Sequence, residues 1–169
     1  TREYLKGKIE PAILDELLCD EYEVISTDAV NLLTWNRFDL AFKLFYLDHV
    51  GVNPALAERV YSEDIKSHSL GTFVEPLNGA KNSLSKYLES FEATYGSIKK
   101  DGFNSKMTVV PLSSSDTINN GAHRVASAIH LGQRVECARL DLDSMVCDYR
   151  FFYKRNVSSQ ILDLVASSF

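Results

Sequence analysis

The segment from Lys106 to Leu140 constrains the fold most, because its hydrophobic pattern changes period around a single glycine turn. "KMTVVPL" reads as a strand, "SSSD" as a turn and "TINN" as a second short strand, together a hairpin. The chain then passes Asn120-Gly121 into "AHRVASAIHLG", where Val125, Ala128 and Ile129 share one helical face and Gly132 ends the element. "QRVECARLDL" follows with a rough alternation of Val135, Cys137 and Leu140, which suits another strand.

The flanking sequence is mostly helical. "IEPAILDELL" spaces Ile9, Ile13, Leu14 and Leu17 as a helix does, with Pro11 tolerable in a first turn. "YEVIS" is a short strand, and Thr27 or Asp28 suits the cap of the next element. "FDLAFKLFYLDHVG" places Phe38, Ala41, Phe42, Phe45 and Tyr46 on one core-facing side, and Gly51 stops it. Asn53-Pro54 restarts a helix through "PALAERVYSEDIKSH". "SLGTFVEPLNGAKN" is rich in Gly, Pro and Asn and reads as a loop of the kind that often carries function. An amphipathic helix follows, with Leu84, Tyr87, Leu88, Phe91 and Tyr95 on one side, Ser83 or Ser85 as its cap and Gly102 closing it. "YRFFYKRN" reads as a strand or an arm, and "SSQILDLVASSF" as a short closing helix. The pattern predicts an α+β fold: a compact domain with a small mixed sheet and an added helical N-terminal region. Residues 1–60 are expected to form that extension and residues 61–169 the core, the two packed as one globular unit.

Composition narrows the function classes. The 169 residues are 45% hydrophobic, enough to bury a core without metal or disulfide staples. Eighteen Lys and Arg against 23 Asp and Glu give a formal charge of -5, which weighs against a grip on a nucleic-acid backbone. Cys19, Cys137 and Cys147 have no metal-like spacing and read as free thiols in a reducing, cytoplasmic setting. No stretch approaches the ~20 apolar residues of a membrane span, and no signal peptide is visible. The start at Thr1 and the end at "VASSF" read as a module of a longer chain.

The Asn120–Arg124 turn carries the chemistry. The first amides of a helix point outward without partners and favour an anion. Gly121 lets the backbone approach a ligand, while His123 and Arg124 add donors, the arginine as a fork suited to phosphate oxygens. A cap by Asn120, with His123 and Arg124 merely solvated, is the plain alternative.

"INNGAHRVASAIHLG" followed by "RVECARL" resembles the ParB/sulfiredoxin superfamily, whose signature is a strand running into a Gly-x-His-Arg helix start. The core of the resemblance covers Lys106 to Leu140. It implies a compact domain whose helix N-terminus holds nucleotide phosphates. Sulfiredoxins carry a catalytic cysteine where this chain has Ala122, so sulfinic acid repair is not implied. ParB proteins add a DNA-reading helix-turn-helix, for which little chain remains after Gly132. The nearest branch is the free-serine kinase type, whose Asp-Gly-His-His-Arg corresponds to Asn120, Gly121, Ala122, His123 and Arg124. Gly121, His123 and Arg124 agree; Asn120 replaces the catalytic aspartate, so a kinase needs its carboxylate from elsewhere.

Glu75 in the Gly/Pro-punctuated loop is the first choice for that carboxylate, and the branch also supplies a glutamate from this region. Lys81 is placed to neutralise phosphate charge, and Lys106 to add a phosphate contact. Asp64 is a second carboxylate and His68 a neighbour of the loop. Asp116 suits a turn, and His130 lies about 10 Å along the helix from His123. His123 is read as a catalytic-site donor to phosphate oxygens.

The expectation is an ATP- and Mg²⁺-dependent phosphotransferase acting on a hydroxyl of a small molecule or sugar, with surface-glycan biosynthesis as a candidate setting. The site is Glu75 and His123, with Asn120, Gly121, Ala122, Arg124, Lys81 and Lys106 around the nucleotide; metal ligands are left open. The alternatives are a non-catalytic nucleotide-binding regulatory domain and a ParB-like nucleic-acid-binding or nuclease domain.

Overall fold

The computed structural model describes residues 1–75 and 79–169. In chain order the elements are α1 (Arg2–Leu5), α2 (Pro11–Glu16), β1 (Glu23–Asp28), a 3₁₀ turn (Ala29–Leu32), α3 (Asp39–His49), α4 (Pro54–Ser69) and α5 (Leu84–Asp101). β2 (Val110–Leu112), α6 (Ala122–His130), β3 (Arg134–Arg139), α7 (Tyr149–Tyr153) and α8 (Ser159–Ala166) follow. The fold is α+β, with a three-stranded mixed sheet ordered β1-β3-β2.

The central strand β3 pairs antiparallel with β1 and parallel with β2, so Cys137 faces Ile25 on one side and Val110 on the other. α6 is therefore the crossover of a parallel β-α-β unit, and it packs against the sheet, α3 and α5. Val125, Ala126 and Ala128 give it a fully buried face. The expected hairpin before α6 is reduced to one bridge, Leu112 to Ile118, closed by the Ser113 N–H donating to the Thr117 carbonyl. Asp116 takes a left-handed conformation in that turn, as short polar residues tolerate.

Residues 1–60 contribute β1 to the sheet and α3 to the main core, so they share both with the rest of the chain. The aromatic stripe of α3 is buried along its whole length: Phe38, Phe42 and Phe45 pack with α7 and α8, and Tyr46 with Tyr61 and Phe91. Asn53 caps α4 through the Leu56 N–H at 3.2 Å, and Ser83 caps α5 through the Lys86 N–H at 3.3 Å.

A further expectation fails, after the second strand at Thr117–Asn120 that shrinks to a bridge. "YRFFYKRN" is neither strand nor arm; Tyr149–Tyr153 is helical. The Asp148 carboxylate accepts from the Phe151 N–H at 2.9 Å, capping the turn, and Phe152 is buried against Phe38 and Phe42. Cap and tertiary burial outweigh the β propensity of consecutive aromatics.

Candidate functional site

α3 and α6 pack against each other in the core, and both begin with charged residues. α3 begins at Asp39, whose carboxylate is favoured by the helix dipole. Arg37, two residues earlier, donates to both carboxylate oxygens, each at 2.8 Å, and also to the Ile118 carbonyl on the approach to α6. One turn along α3, Lys43 Nζ lies 3.3 Å from Asp39 Oδ2 and 2.6 Å from Asp64 Oδ2 of α4. Arg37, Asp39, Lys43 and Asp64 are all buried, the last completely.

The chain of charge continues along α4. His68, four residues after Asp64, has Nδ1 3.1 Å from Asp64 Oδ1 and 3.0 Å from the Asp64 carbonyl. Its Nε2 lies 3.3 Å from Cys147 Sγ. Burial opposes the charge on His68, but the Asp64 and Cys147 bonds prevail and raise its pKa to about 10. Burial likewise opposes ionisation of Asp39, and Arg37 and Lys43 outweigh it, holding the carboxyl far below its usual range. For Lys43, Asp64 and Asp39 more than offset burial and raise its pKa. Each charge at the start of α3 is thus met by an opposite one.

The start of α6 differs. Gly121 has φ +90°, and no side chain caps the helix. Asn120 accepts from the adjacent Gly121 N–H, and the first helical bond runs from the Val125 N–H to the Gly121 carbonyl. Amides of the first turn are therefore left to a ligand or solvent. Arg124 folds back over this turn: a Cβ on Gly121 would stand 2.7 Å from its guanidinium. The φ favours glycine here, and a Cβ would also push the flexible Arg124 tip off the turn. The guanidinium bonds Thr108 Oγ1 and, at 3.4 Å, the Val109 carbonyl; among the described residues no carboxylate lies within ion-pairing distance of it. Burial lowers its pKa and the field of Glu10 opposes that.

His123, half-buried in the first turn of α6, faces α4 and α5. Its Nε2 lies 2.8 Å from the Tyr61 hydroxyl, and its ring packs 4.6 Å from that of Phe91. Burial first, then the fields of Lys43 and Lys81, with Asp39 opposing and Arg124 adding, push its pKa well below the ordinary value. Burial also holds Tyr61 in its protonated form. A protonated phenol beside a neutral imidazole donates to Nε2, which leaves the ring proton on Nδ1 as a donor.

Glu75 and Lys81, expected on one loop, come together: Lys81 Nζ is 3.2 Å from Glu75 Oε1, and the Glu75 N–H donates to the Lys81 carbonyl at 2.8 Å. Lys81 also stands 5.3 Å over the Tyr87 ring. The Pro76–Asn78 part of that loop lies outside the described residues. Lys106 is exposed, in the turn after α5, and makes no side-chain contact with the rest of the group. His130 is turned away, paired with Asp48 at 3.3 Å and with the Tyr95 hydroxyl at 3.1 Å.

Two cavities flank the start of α6. One, of about 490 Å³, lies between α5 and the Gly102–Thr108 segment; Ser90, Thr94, Ser97, Phe103 and Met107 line it, with Arg124. The other, of about 480 Å³, is acidic and amide-rich, bounded by Glu16, Asn119, Asn120, Asp141 and Asp143.

Sequence reasoning missed Arg37, Asp39, Lys43, Tyr61 and Cys147, and weighed Asp64 and His68 too lightly. A signal was present: Asp39 and Lys43, and again Asp64 and His68, stand four residues apart on helices whose same faces are otherwise core.

No helix of the described residues is long and apolar enough to cross a membrane. Comparison with protein-family models, curated proteins and solved structures finds no match to this chain.

Proposed function

We propose that the chain is an ATP-dependent phosphotransferase acting on a hydroxyl of a small molecule or a sugar, surface-glycan sugars included. One observation carries the reading: Arg124, without a carboxylate partner among the described residues, lies over the uncapped start of α6 beside a cavity of about 490 Å³. In this reading the nucleoside enters that cavity and the phosphates meet Arg124 and the first-turn amides. His123 donates Nδ1–H to a phosphate oxygen. Lys81 offsets the charge that develops as the acceptor oxygen attacks the γ-phosphorus and ADP leaves. Glu75, once released from Lys81, orients the acceptor hydroxyl and takes its proton.

Among the described residues no group of three or more His, Cys, Asp or Glu side chains is arranged to hold a metal. Mg²⁺ therefore arrives, in this reading, on the nucleotide's own phosphate oxygens. A second reading, a nucleotide-binding regulatory domain without turnover, draws on Asn120, whose side-chain oxygen is occupied by the Gly121 N–H.

Calorimetric titration of Mg²⁺-ATP into the wild type and Arg124→Ala tests the site. Saturable binding that weakens at least about tenfold, ~1.4 kcal/mol, in the variant supports it. A folded wild type that binds neither ATP, CTP nor GTP sinks it. Glu75→Gln separates the two readings: a kinase loses turnover and keeps affinity, whereas a passive binder shows no turnover to lose.

A further inference from the structure

The Asp64–His68–Cys147 chain takes no part in the phosphotransfer reading, yet it is ordered as nucleophile activation requires. Cys147 sits on a strap across the start of α3: its N–H donates to the Asn36 carbonyl at 2.7 Å, and its carbonyl accepts from the Phe38 N–H at 2.9 Å. This holds Sγ 3.3 Å from His68 Nε2, while Asp64 at 3.1 Å steadies the opposite ring nitrogen. Asp64 Oδ1 is buried and accepts no hydrogen bond, so its charge acts on the imidazole through space, with Nδ1 3.1 Å away and hydrogen-bonded to the Asp64 carbonyl.

We propose that Cys147 is a site of reversible oxidation, its sulfur activated toward hydrogen peroxide by His68 and Asp64. A thiolate is the attacking form, and an adjacent imidazolium favours it. The sulfur lone pair attacks one peroxide oxygen; the S–O bond forms as the O–O bond breaks. The departing hydroxide takes the Nε2 proton of His68 and leaves as water. Sulfur loses two electrons, peroxide gains them, and Cys147 becomes a sulfenic acid beside a neutral imidazole.

Access selects the reagent. Cys147 is 1% exposed, whereas a quarter of the His68 side chain is open to solvent, and Phe151 and Phe152 pack at 5.0 and 5.8 Å from its ring. With Sγ buried and only the neighbouring imidazole partly open, the proposed reagent is a small oxidant such as peroxide and not an acyl or peptide substrate.

The other two cysteines are internal controls. Cys19 is exposed, but the Asp141 charge, with smaller contributions from burial and Asp20, raises its pKa. Burial pushes Cys137 up to about 12, with Asp116 adding to it. Among the described residues neither has a cationic hydrogen-bond partner.

The experiment treats the folded protein with hydrogen peroxide, traps sulfenic acid with a 1,3-dione, and follows each cysteine peptide by mass spectrometry. Buried Cys147 is expected to label at least about tenfold faster than exposed Cys19, and His68→Gln to bring it to the Cys19 rate or below. Labelling of Cys19 first, with Cys147 reacting only after unfolding, overturns the proposal. Should His68→Gln fail to fold by circular dichroism, the order of labelling in the wild type still decides. Nucleotide binding has no bearing on either outcome.

Discussion

The starts of α3 and α6 draw on the same kinds of residue and use them in opposite ways. At α3, Arg37 and Lys43 meet Asp39 and Asp64 within 3.3 Å, all four buried. At α6, among the described residues, Arg124 hydrogen-bonds only the hydroxyl of Thr108 and the Val109 carbonyl, the helix has no side-chain cap, and a cavity opens alongside. A saturated set of buried charges has nothing left to offer a ligand, because any newcomer must break a pair whose members are already out of water. An arginine bonded only to neutral oxygens still gains from an anion. The Arg37 bond to the Ile118 carbonyl joins the two, so the closed set holds the approach to the open one.

If α3 is the closed partner, removing one of its charges strikes stability first. Asp39→Asn leaves Arg37 without its bidentate acceptor and Lys43 with Asp64 alone. Stranding a buried charge costs about 3–5 kcal/mol, or roughly 10 °C in midpoint for a domain of this length. Urea unfolding of the two proteins measures it. A loss below about 1 kcal/mol would mean that water reaches the cluster and that the contrast between the two starts is not real.

The two histidines sharpen the contrast through pH. His68, on the closed side, has its pKa raised to about 10, so it binds its proton more tightly folded than unfolded. Its contribution is complete below the unfolded value near 6.5 and is lost as pH climbs from there toward 10, at up to about 1.4 kcal/mol per pH unit. His123, beside the open start, is shifted the other way, so its contribution is present above about 6.5 and lost as pH falls below it. Stability is therefore expected to peak near neutrality and decline on both sides. In His68→Gln the alkaline decline between 7 and 10 becomes shallower while the acid limb stays; an unchanged alkaline limb would refute the charged His68.

Much of this arrangement is legible in the sequence, and the limits have physical causes. Periodicity and caps locate α3, α4, α5 and α6, since each bears an apolar face and a Gly, Asn or Ser at an end. The turn at Asn120–Arg124 stands out because glycine followed by His-Arg is unusual at a core helix. The closed cluster does not stand out, because its pairs join residues far apart: Lys43 to Asp64, His68 to Cys147, Arg37 to Ile118. Local pattern marks a charged residue within an apolar face, but only the fold supplies its partner. The helix Tyr149–Tyr153 escapes for the same reason, its aromatics being placed by Phe38, just before α3, and Phe42 within it.

The smallest expected effect is the sharpest test of the open side. Arg124→Met keeps an unbranched side chain of similar reach and removes the charge. It gives up the bonds to Thr108 and Val109, each worth about 0.5–1.5 kcal/mol when made. It also relieves the burial that disfavours the guanidinium's charge, and the one carboxylate among the described residues whose field reaches Arg124, Glu10, lies beyond ion-pair distance and loses only that field. The two effects oppose, so stability should change by no more than about 1 kcal/mol, against 3–5 kcal/mol for Asp39→Asn. Urea unfolding without nucleotide checks the first value. A loss as large as that of Asp39→Asn would show that Arg124 is a structural strut, and the start of α6 would then be as closed as the start of α3.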